Sequence, residues 1–578
     1  MLLTKIENGY RLYIKRGYMV RIISGLGVIV FASTAFSFDL TIKDKTLVSL
    51  SGQVSWELQW DKVTGKDQGR PEWVNTFTFT PSISFFKIPI PLDFLFTLSS
   101  LESAIRQPFN KFNLHLRRPW LDLYLGDAYP SYSEYTLNGI RIRGGSIDLN
   151  SGIFRFGITY GETKRAVEAS DTTDASYRQM LYGGRIGVGK SEGSYIDFIF
   201  LKAKDDPNSI EPPVTEIRYD GDTLVDSLET VLPQENVVAG IKGGLSLAKG
   251  AVKIGGELSA SALTRDSRSM PMSVPNYPEW ANTIMEPKLS TSVDFAANVR
   301  VDISFASTSF SGSYKYVGPG YNSLGSPYLT NDIQGFSLSA SQGLWNNQVS
   351  LNASFDRIQD NLLGLKSATT TTLVASFNIF IAVGMLPYLS FGYNSYSLRN
   401  DDPNDSLRVD NITQSYTANT GTSFNFLGME HSLNLSYSLQ RYRDRSPFAW
   451  LSSNYDLSMW MFSFNTNFKI PLSLSWSFGL SQNRSEAGDY EDIYSGNVSL
   501  SYRMFGDKLQ NSLDINFDET KGKGIRNRRW GISLRSDYNL PVLGNLSGNI
   551  ERVVYSDKIE PVENYQEFVV RVSFSRTF

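Results

Sequence analysis

The sequence predicts an all-β protein: one large antiparallel transmembrane β-barrel of about 26 strands, within a range of roughly 22 to 26. Three observations point there. Apolar and polar residues alternate along segment after segment. The connections between segments alternate between short and long. Beyond the N-terminal stretch, no run of 18 apolar residues is long enough for a helical span. A strand turns successive side chains to opposite faces, so each alternating segment separates two unlike environments. A one-residue slip would turn every side chain to the wrong solvent, which makes such consistent alternation informative.

The last segment, 565–578, shows the pattern most plainly. Phe568, Val570, Val572, Phe574 and Phe578 fall on one face, with Arg576 the exception, and Glu567, Arg571, Ser573, Ser575 and Thr577 fall on the other. A terminal amphipathic strand closing on an aromatic residue resembles the C-terminal signal of Gram-negative outer-membrane β-barrel proteins. That resemblance implies a porin-like barrel in the cell outer membrane. The implied partners are outer-membrane lipid, lipopolysaccharide and, through this strand, the barrel-assembly machinery.

The other elements follow in chain order. Lys5, Arg11, Lys15, Arg16 and Arg21 precede an apolar stretch at 22–36, and Ala35-Phe36-Ser37 offers a small-residue cleavage site. Residues 1–37 therefore read as a signal peptide, with Met19 an alternative start, and 38–578 as the barrel. In the first strand, Val54, Trp56, Leu58 and Trp60 alternate with Ser55, Glu57, Gln59 and Asp61. The tryptophans suit an interfacial anchor. Phe154, Phe156, Ile158 and Tyr160 alternate with Arg155, Gly157 and Thr159, and later segments substitute Ser, Thr and Asn on the polar side. Short turns at 150–152, 189–193, 248–250 and 306–309 alternate with long loops at 162–177, 204–236, 263–287 and 317–332. Counting back from Phe578 places both termini and the short turns on the periplasmic side. Loop 204–236, with Pro207, Pro212, Pro213 and Pro233, reads as a mobile surface loop. Among the loops it is also the first candidate to fold into the lumen.

Composition limits the function classes. The mean hydropathy of -0.22 is ordinary for a soluble protein and equally so for a barrel whose strands are half wetted. Aromatics at 13% can supply interfacial girdles, and a net charge of -3 argues against a nucleic-acid partner. Cysteine is absent, so disulfides and cysteine-based zinc sites are excluded. Histidine occurs only at His115 and His431, and Ser432 next to His431 points to the opposite face. No catalytic residues, metal site or cofactor are predicted.

Gly126-Asp127, Gly139, Arg141 and Arg143-Gly144-Gly145 form the most distinctive local cluster. Arg141 and Arg143 share one face of a strand, and with Arg117, Arg118 and Asp127 they are candidates to line the lumen and set charge preference. The Gly-Asp followed by Arg-Gly is similar to a segment of fimbrial ushers, which export pilus subunits. Arg143-Gly144 also resembles the Arg-Gly of barrel-assembly proteins. Acidic loops at Asp205-Asp206 and Asp401-Asp402 lack calcium-loop spacing and read as solvated charge.

The expected function is passive passage of a solute or polymer across the outer membrane, through a lumen narrowed by loops or by 126–145. The alternative is a structural or secretion-associated barrel that anchors a periplasmic or surface protein partner. A barrel enzyme is the third reading.

Overall fold

The computed structural model describes residues 38–42, 45–67, 71–85, 92–99, 111–169, 174–190, 192–211, 214–220, 223–229, 231–275, 277–447, 454–541 and 543–578. The proposed signal peptide, 1–37, lies outside them. The chain begins with β1 (Phe38–Ile42), β2 (Lys45–Thr64), β3 (Trp73–Phe85), β4 (Leu92–Ser99), β5 (Lys111–Arg118), β6 (Leu121–Ala128), β7 (Ile142–Ser151), β8 (Phe154–Lys164), β9 (Gln179–Gly189) and β10 (Tyr195–Asp205). A separate hairpin, β11 (Val214–Asp220) and β12 (Thr223–Glu229), follows. Next come β13 (Glu235–Leu247), β14 (Val252–Thr264), β15 (Thr291–Phe305), β16 (Thr308–Val317), β17 (Ile333–Leu344), β18 (Val349–Asp360), β19 (Thr370–Ile381) and β20 (Tyr388–Asn400). The rest are β21 (Asp410–Phe426), β22 (Met429–Asp444), β23 (Tyr455–Asn467), β24 (Leu472–Ser485), β25 (Tyr490–Met504), β26 (Leu509–Gly522), β27 (Ile525–Leu540), β28 (Gly544–Asp557) and β29 (Tyr565–Thr577).

All strands but β11 and β12 belong to one 27-stranded antiparallel sheet. β1 pairs only with the start of β2. The remaining 26 strands form a closed circuit, because β29 pairs back onto β2 from Gln53↔Thr577 to Thr64↔Gln566. The predicted strand number and antiparallel class are therefore what the chain adopts. Closure matters physically: a sheet edge facing hydrocarbon would leave its N–H and C=O groups unpaired.

The seam is built by both chain ends. The Phe578 N–H donates to the Gly52 carbonyl at 2.9 Å, and the Gly52 N–H donates to the Phe578 carbonyl at 2.8 Å. The Phe79 and Phe578 rings stack with centroids 6.2 Å apart. Val54, Trp56 and Phe574 pack into one buried cluster across the joint, and the Trp56 indole N–H donates to Asn75 at 2.7 Å. The C-terminal aromatic thus completes the ring as well as ending the chain.

The alternation extends around the wall. On β8, Phe154, Phe156, Ile158 and Tyr160 are exposed on the outside, while Arg155, Gly157, Thr159 and Gly161 are buried on the inside. Directly opposed residues of an antiparallel pair share a face, so the strand registers carry this inside–outside assignment around the ring. Loop 204–236 departs from the sequence expectation. Its middle forms the β11–β12 hairpin, whose strands pair only with each other. Two other connections enter the lumen, as described below.

The seam makes a direct prediction. A Cβ added at Gly52 would stand 2.5 Å from the Thr80 carbonyl oxygen. Gly52→Val should therefore prevent ring closure and abolish the heat-modifiable, folded band on cold gel electrophoresis. Ser55→Thr, on the wetted face of the same strand, should leave that band intact.

Candidate functional site in the lumen

The inner wall has unlike sectors. Around β8–β10 and β13–β17 the inward side chains are buried, and several are apolar: Leu181, Ile199, Leu201, Ala203, Val238 and Val317. Loops 129–141 and 318–332, both from the long-loop end, fold inward and cover them. Tyr132, Tyr135 and Leu137 of the first loop and Tyr321 of the second complete the same apolar cluster. This interior is a true core, placed inside a barrel.

The two loops hold each other. The Tyr321 hydroxyl donates to the Tyr135 carbonyl at 2.8 Å, Ser323 to the Thr136 carbonyl at 2.6 Å, and Ser326 to the Glu134 carbonyl at 2.9 Å. The Asn138 N–H returns a bond to the Gly325 carbonyl at 3.0 Å. Side chains of the wall fix them further. Glu257 accepts from Ser133 at 2.5 Å and from Ser259 at 3.0 Å. Buried Asn236 donates to the Asn322 carbonyl at 3.2 Å and accepts from the Leu324 N–H at 3.0 Å. Small residues make room: a Cβ at Gly325 would meet the Thr136 carbonyl oxygen and the Leu201 side chain, each at 2.5 Å.

Beneath the plug runs an ion-pair ladder. Arg155 makes a two-pronged pair with Asp197 at 2.7 and 2.9 Å. Arg185 reaches Asp148 at 2.6 Å and Asp197 at 3.8 Å. These groups are buried together, which is the condition under which charges tolerate burial. At the mouth, Asp332 closes the second loop. Burial pushes its carboxyl up, but the Lys366 ammonium at 2.6 Å and the Leu362 and Asn361 N–H groups outweigh this and hold it below the usual carboxylate range.

A second sector, β19–β25, is uncovered. Many of its inward positions are Ser, Thr and Asn in long series, for example Ser432, Asn434, Ser436 and Ser438 on β22, while β23 turns Leu457, Met459 and Met461 inward and β20 turns Tyr396 and Leu398 inward. On β25 the series is Ser495, Asn497, Ser499 and Ser501. Among the described residues, inward charges on these strands stand only near strand ends, at Asp444, Glu430, Glu491 and Arg503. Charge returns toward the seam, where a hollow of about 370 Å³ is lined by Glu57, Asp514, Arg535 and Arg571 among others.

The five residues singled out by sequence separate. Arg141 and Arg143 converge on Asp127, at 2.8 and 3.4 Å. Strand parity puts Asp127 and Arg143 on the outer face, because the adjacent Ala128 and Ile142 face the plug. Arg117 faces inward and Arg118 outward, both at the short-turn end of β5. From Arg117↔Asp122 to Asp127↔Arg143 is five residues of β6, about 17 Å. The arginines therefore do not form one strip. His115 stacks on Tyr124 and contacts Asp122 at 2.5 Å, while His431 lies on the outer face among Phe424, Phe426 and Phe464. Among the described residues no group of three His, Cys, Asp or Glu could hold a metal ion.

The plug loop 318–332 went unread in the sequence, although its one charge, Asp332, comes at its end. A surface loop of that length normally carries more. Strand 195–205 carried a second signal, since Ile196, Phe198 and Phe200 are flanked by equally apolar Ile199 and Leu201. Apolar residues on both faces indicate cover on both.

No protein-family model matches the chain, and no curated protein matches it. Solved structures do. The P pilus usher (PapC) translocation pore is 12% identical with a TM-score of 0.36, covering 92% of this chain and 100% of that one. An E. coli P pilus tip assembly intermediate, PapC-PapD-PapK-PapG, is 11% identical with a TM-score of 0.47, covering 93% of this chain and 62% of that one. The outer membrane protein opdK from Pseudomonas aeruginosa is 8% identical with a TM-score of 0.29, covering 60% and 94%.

Two outcomes follow from the plug geometry. Tyr321→Phe removes one loop-to-loop bond, worth about 1 kcal/mol, so openings in single-channel records should become roughly fivefold more frequent. The lowered Asp332 carboxyl contributes loop stability that is present at neutral pH and lost as pH falls through that lowered value. Conductance should accordingly rise in acid. Asp332→Asn should show the raised conductance already at neutral pH, with the acid step diminished.

Proposed function

We propose that this outer-membrane barrel is a passive conduit for a polar, uncharged solute or polymer, narrowed by loops 129–141 and 318–332. The observation that carries this reading is the uncovered, uncharged wall of β19–β25. Serine and threonine hydroxyls and asparagine amides both donate and accept hydrogen bonds. A cargo rich in hydroxyls or amides can exchange one such partner for the next without meeting a fixed charge that would hold it. Conduction requires this balance: binding strong enough to enter and weak enough to leave. Ionic cargo would instead meet the mixed charges near the seam and Arg117 at the short-turn end. The filled sector of the barrel supports the same reading, because it reduces a very wide lumen to a passage along one wall.

The test is electrical. Folded protein in planar bilayers should give steady conductance with weak ion selectivity, reduced by uncharged oligosaccharides more than by charged ones of equal size. Placing arginines at Ser436 and Ser477 should shift the reversal potential several-fold toward anions. Leu435→Arg, on the outer face, should not. Folded protein that conducts nothing, with or without Gly325→Val to dislodge the plug, would rule the proposal out.

A further inference from the structure

Along β23 the uncovered wall departs from its polar pattern. Leu457, Met459 and Met461 take three successive inward positions, and Tyr455 precedes them at the mouth. Directly opposite Leu457, Met459 and Met461 are Gln440, Ser438 and Ser436 on β22, and Asn483, Ser481 and Gly479 on β24. The strip is one strand wide and about 20 Å long, with a hydrogen-bonding row about 5 Å to either side. None of these flanking side chains is charged.

Aromatic rings stand at both ends of the strip. At the mouth, Tyr442 directly opposes Tyr455 and stacks on it, with centroids 5.4 Å apart and planes 19° from parallel. Gln440 donates to the Tyr455 hydroxyl at 3.2 Å and steadies the pair. Tyr396 lies in the same rung, across Thr413 from Tyr442. Toward the short turns, the Tyr388 hydroxyl donates to Asn434 at 3.3 Å, and Phe380 packs beside the Tyr388 ring with centroids 5.7 Å apart. That ring crosses β21 at Gly421, where a Cβ would meet it at 2.8 Å. These groups are open to the lumen: Tyr396, Met459, Met461 and Phe380 are 45, 44, 49 and 41% exposed. Ser438 and Ser481 hold the level of Met459 on the neighbouring strands, so closing the wall does not require an apolar side chain there. An exposed apolar strip among wetted positions marks a contact surface for a ligand.

We infer that this strip binds a neutral saccharide chain, which passes with the C–H faces of its rings on the strip and its hydroxyls on the flanking rows. The inference rests on the conduit reading and names the class of its cargo. A pyranose ring has two faces of C–H bonds and a rim of hydroxyls. Its faces shed water favourably against Tyr and Met side chains, and its rim meets Ser, Asn and Gln groups that donate and accept. Methionine suits the middle of the passage, because its flexible thioether follows a moving contact. Tyrosine suits the ends, where a flat ring orients the chain as it enters or leaves. A flexible polyether is equally uncharged but has no flat face to lay on the strip.

The experiment uses the full barrel, in planar bilayers and, separately, folded in deuterated detergent. Maltohexaose is the probe, and a polyethylene glycol of equal hydrodynamic radius is the comparison. In single-channel records, maltohexaose should block in events at least about tenfold longer than those of the glycol. M459S/M461S, which extends the serine rows, should shorten the maltohexaose events about tenfold and leave the glycol events unchanged. M459L/M461L should keep the long events, and S458T, on the outer face, should alter nothing. Should M459S/M461S not fold, M459S alone should still shorten the events severalfold. In detergent, saturation-transfer NMR from the aromatic side chains should label the ring C–H protons of maltohexaose, and Y442S/Y455S should remove most of that labelling. Equal events for sugar and glycol overturn the inference, as do unchanged events in the folded serine variants. Longer events from an uncharged glycine–asparagine peptide than from maltohexaose also overturn it. Steady conductance that no sugar blocks overturns this inference and leaves the conduit standing. A barrel that conducts nothing yet labels maltohexaose keeps the saccharide site and overturns the conduit alone.

Discussion

The constraint on which the rest depends is the demand for internal hydrogen bonding within a bilayer. Hydrocarbon offers nothing to an unpaired N–H or C=O, so a sheet inside it must have no edge. Here that demand falls on one joint, β2 against β29, where the first long strand meets the last. The Phe578 main chain bonds Gly52 in both directions, so even the final residue contributes to closure. β1 continues along the same edge of β2 below the point where β29 stops.

A closed ring of 26 strands creates a second problem, which is volume. The chain meets it unevenly. One sector of the inner wall, β8–β10 and β13–β17, is made apolar and covered by two loops that bind each other as much as the wall. The sector β19–β25 remains lined largely with Ser, Thr and Asn, with Met459 and Met461 of β23 among them. Each sector uses a different solution to burial. Under the plug, charges such as Arg155 and Asp197 are matched bond for bond, which a low-dielectric interior requires. Along the open sector, hydroxyls and amides stay wet and need no fixed partner. The plug is held mainly by neutral hydrogen bonds and apolar contact, with the Asp332–Lys366 pair at its rim.

The exterior is ordered by depth rather than by sector. Apolar and aromatic side chains fill most of the middle and charges gather toward strand ends, with Arg552, opposite Ile532 and Phe568, an exception. The ends differ in kind. At the long-loop end, Asp127, Glu235 and Glu519 each lie behind a pair of bases; among the described residues the short-turn end has no such set on the outer face. This asymmetry is invisible to net charge, which sums the whole chain to -3.

The sequence by itself determined the class of fold, a strand number within a narrow range and the faces of its regularly alternating strands, though not those of Arg118, Asp127 and Arg143, which it put in the lumen. Those properties are local: period two is written into each segment, and hydrocarbon and water leave little latitude in reading it. Phe568 to Phe578 and Val54 to Trp60 showed their outward sides without any knowledge of neighbours. What only the tertiary structure decided was which loops enter and which charges meet. Loop 318–332 lies over Leu201 and Val238 because distant strands bring an apolar inner patch beneath it, and no local period encodes that. Arg117 and Arg143 look like members of one set in the sequence, yet β6 holds them at opposite ends and on opposite faces. Lys521 and Arg528 look unremarkable until the β26–β27 register sets both against Glu519. Pairwise meetings depend on register and curvature summed over many strands, and those are properties of the closed ring.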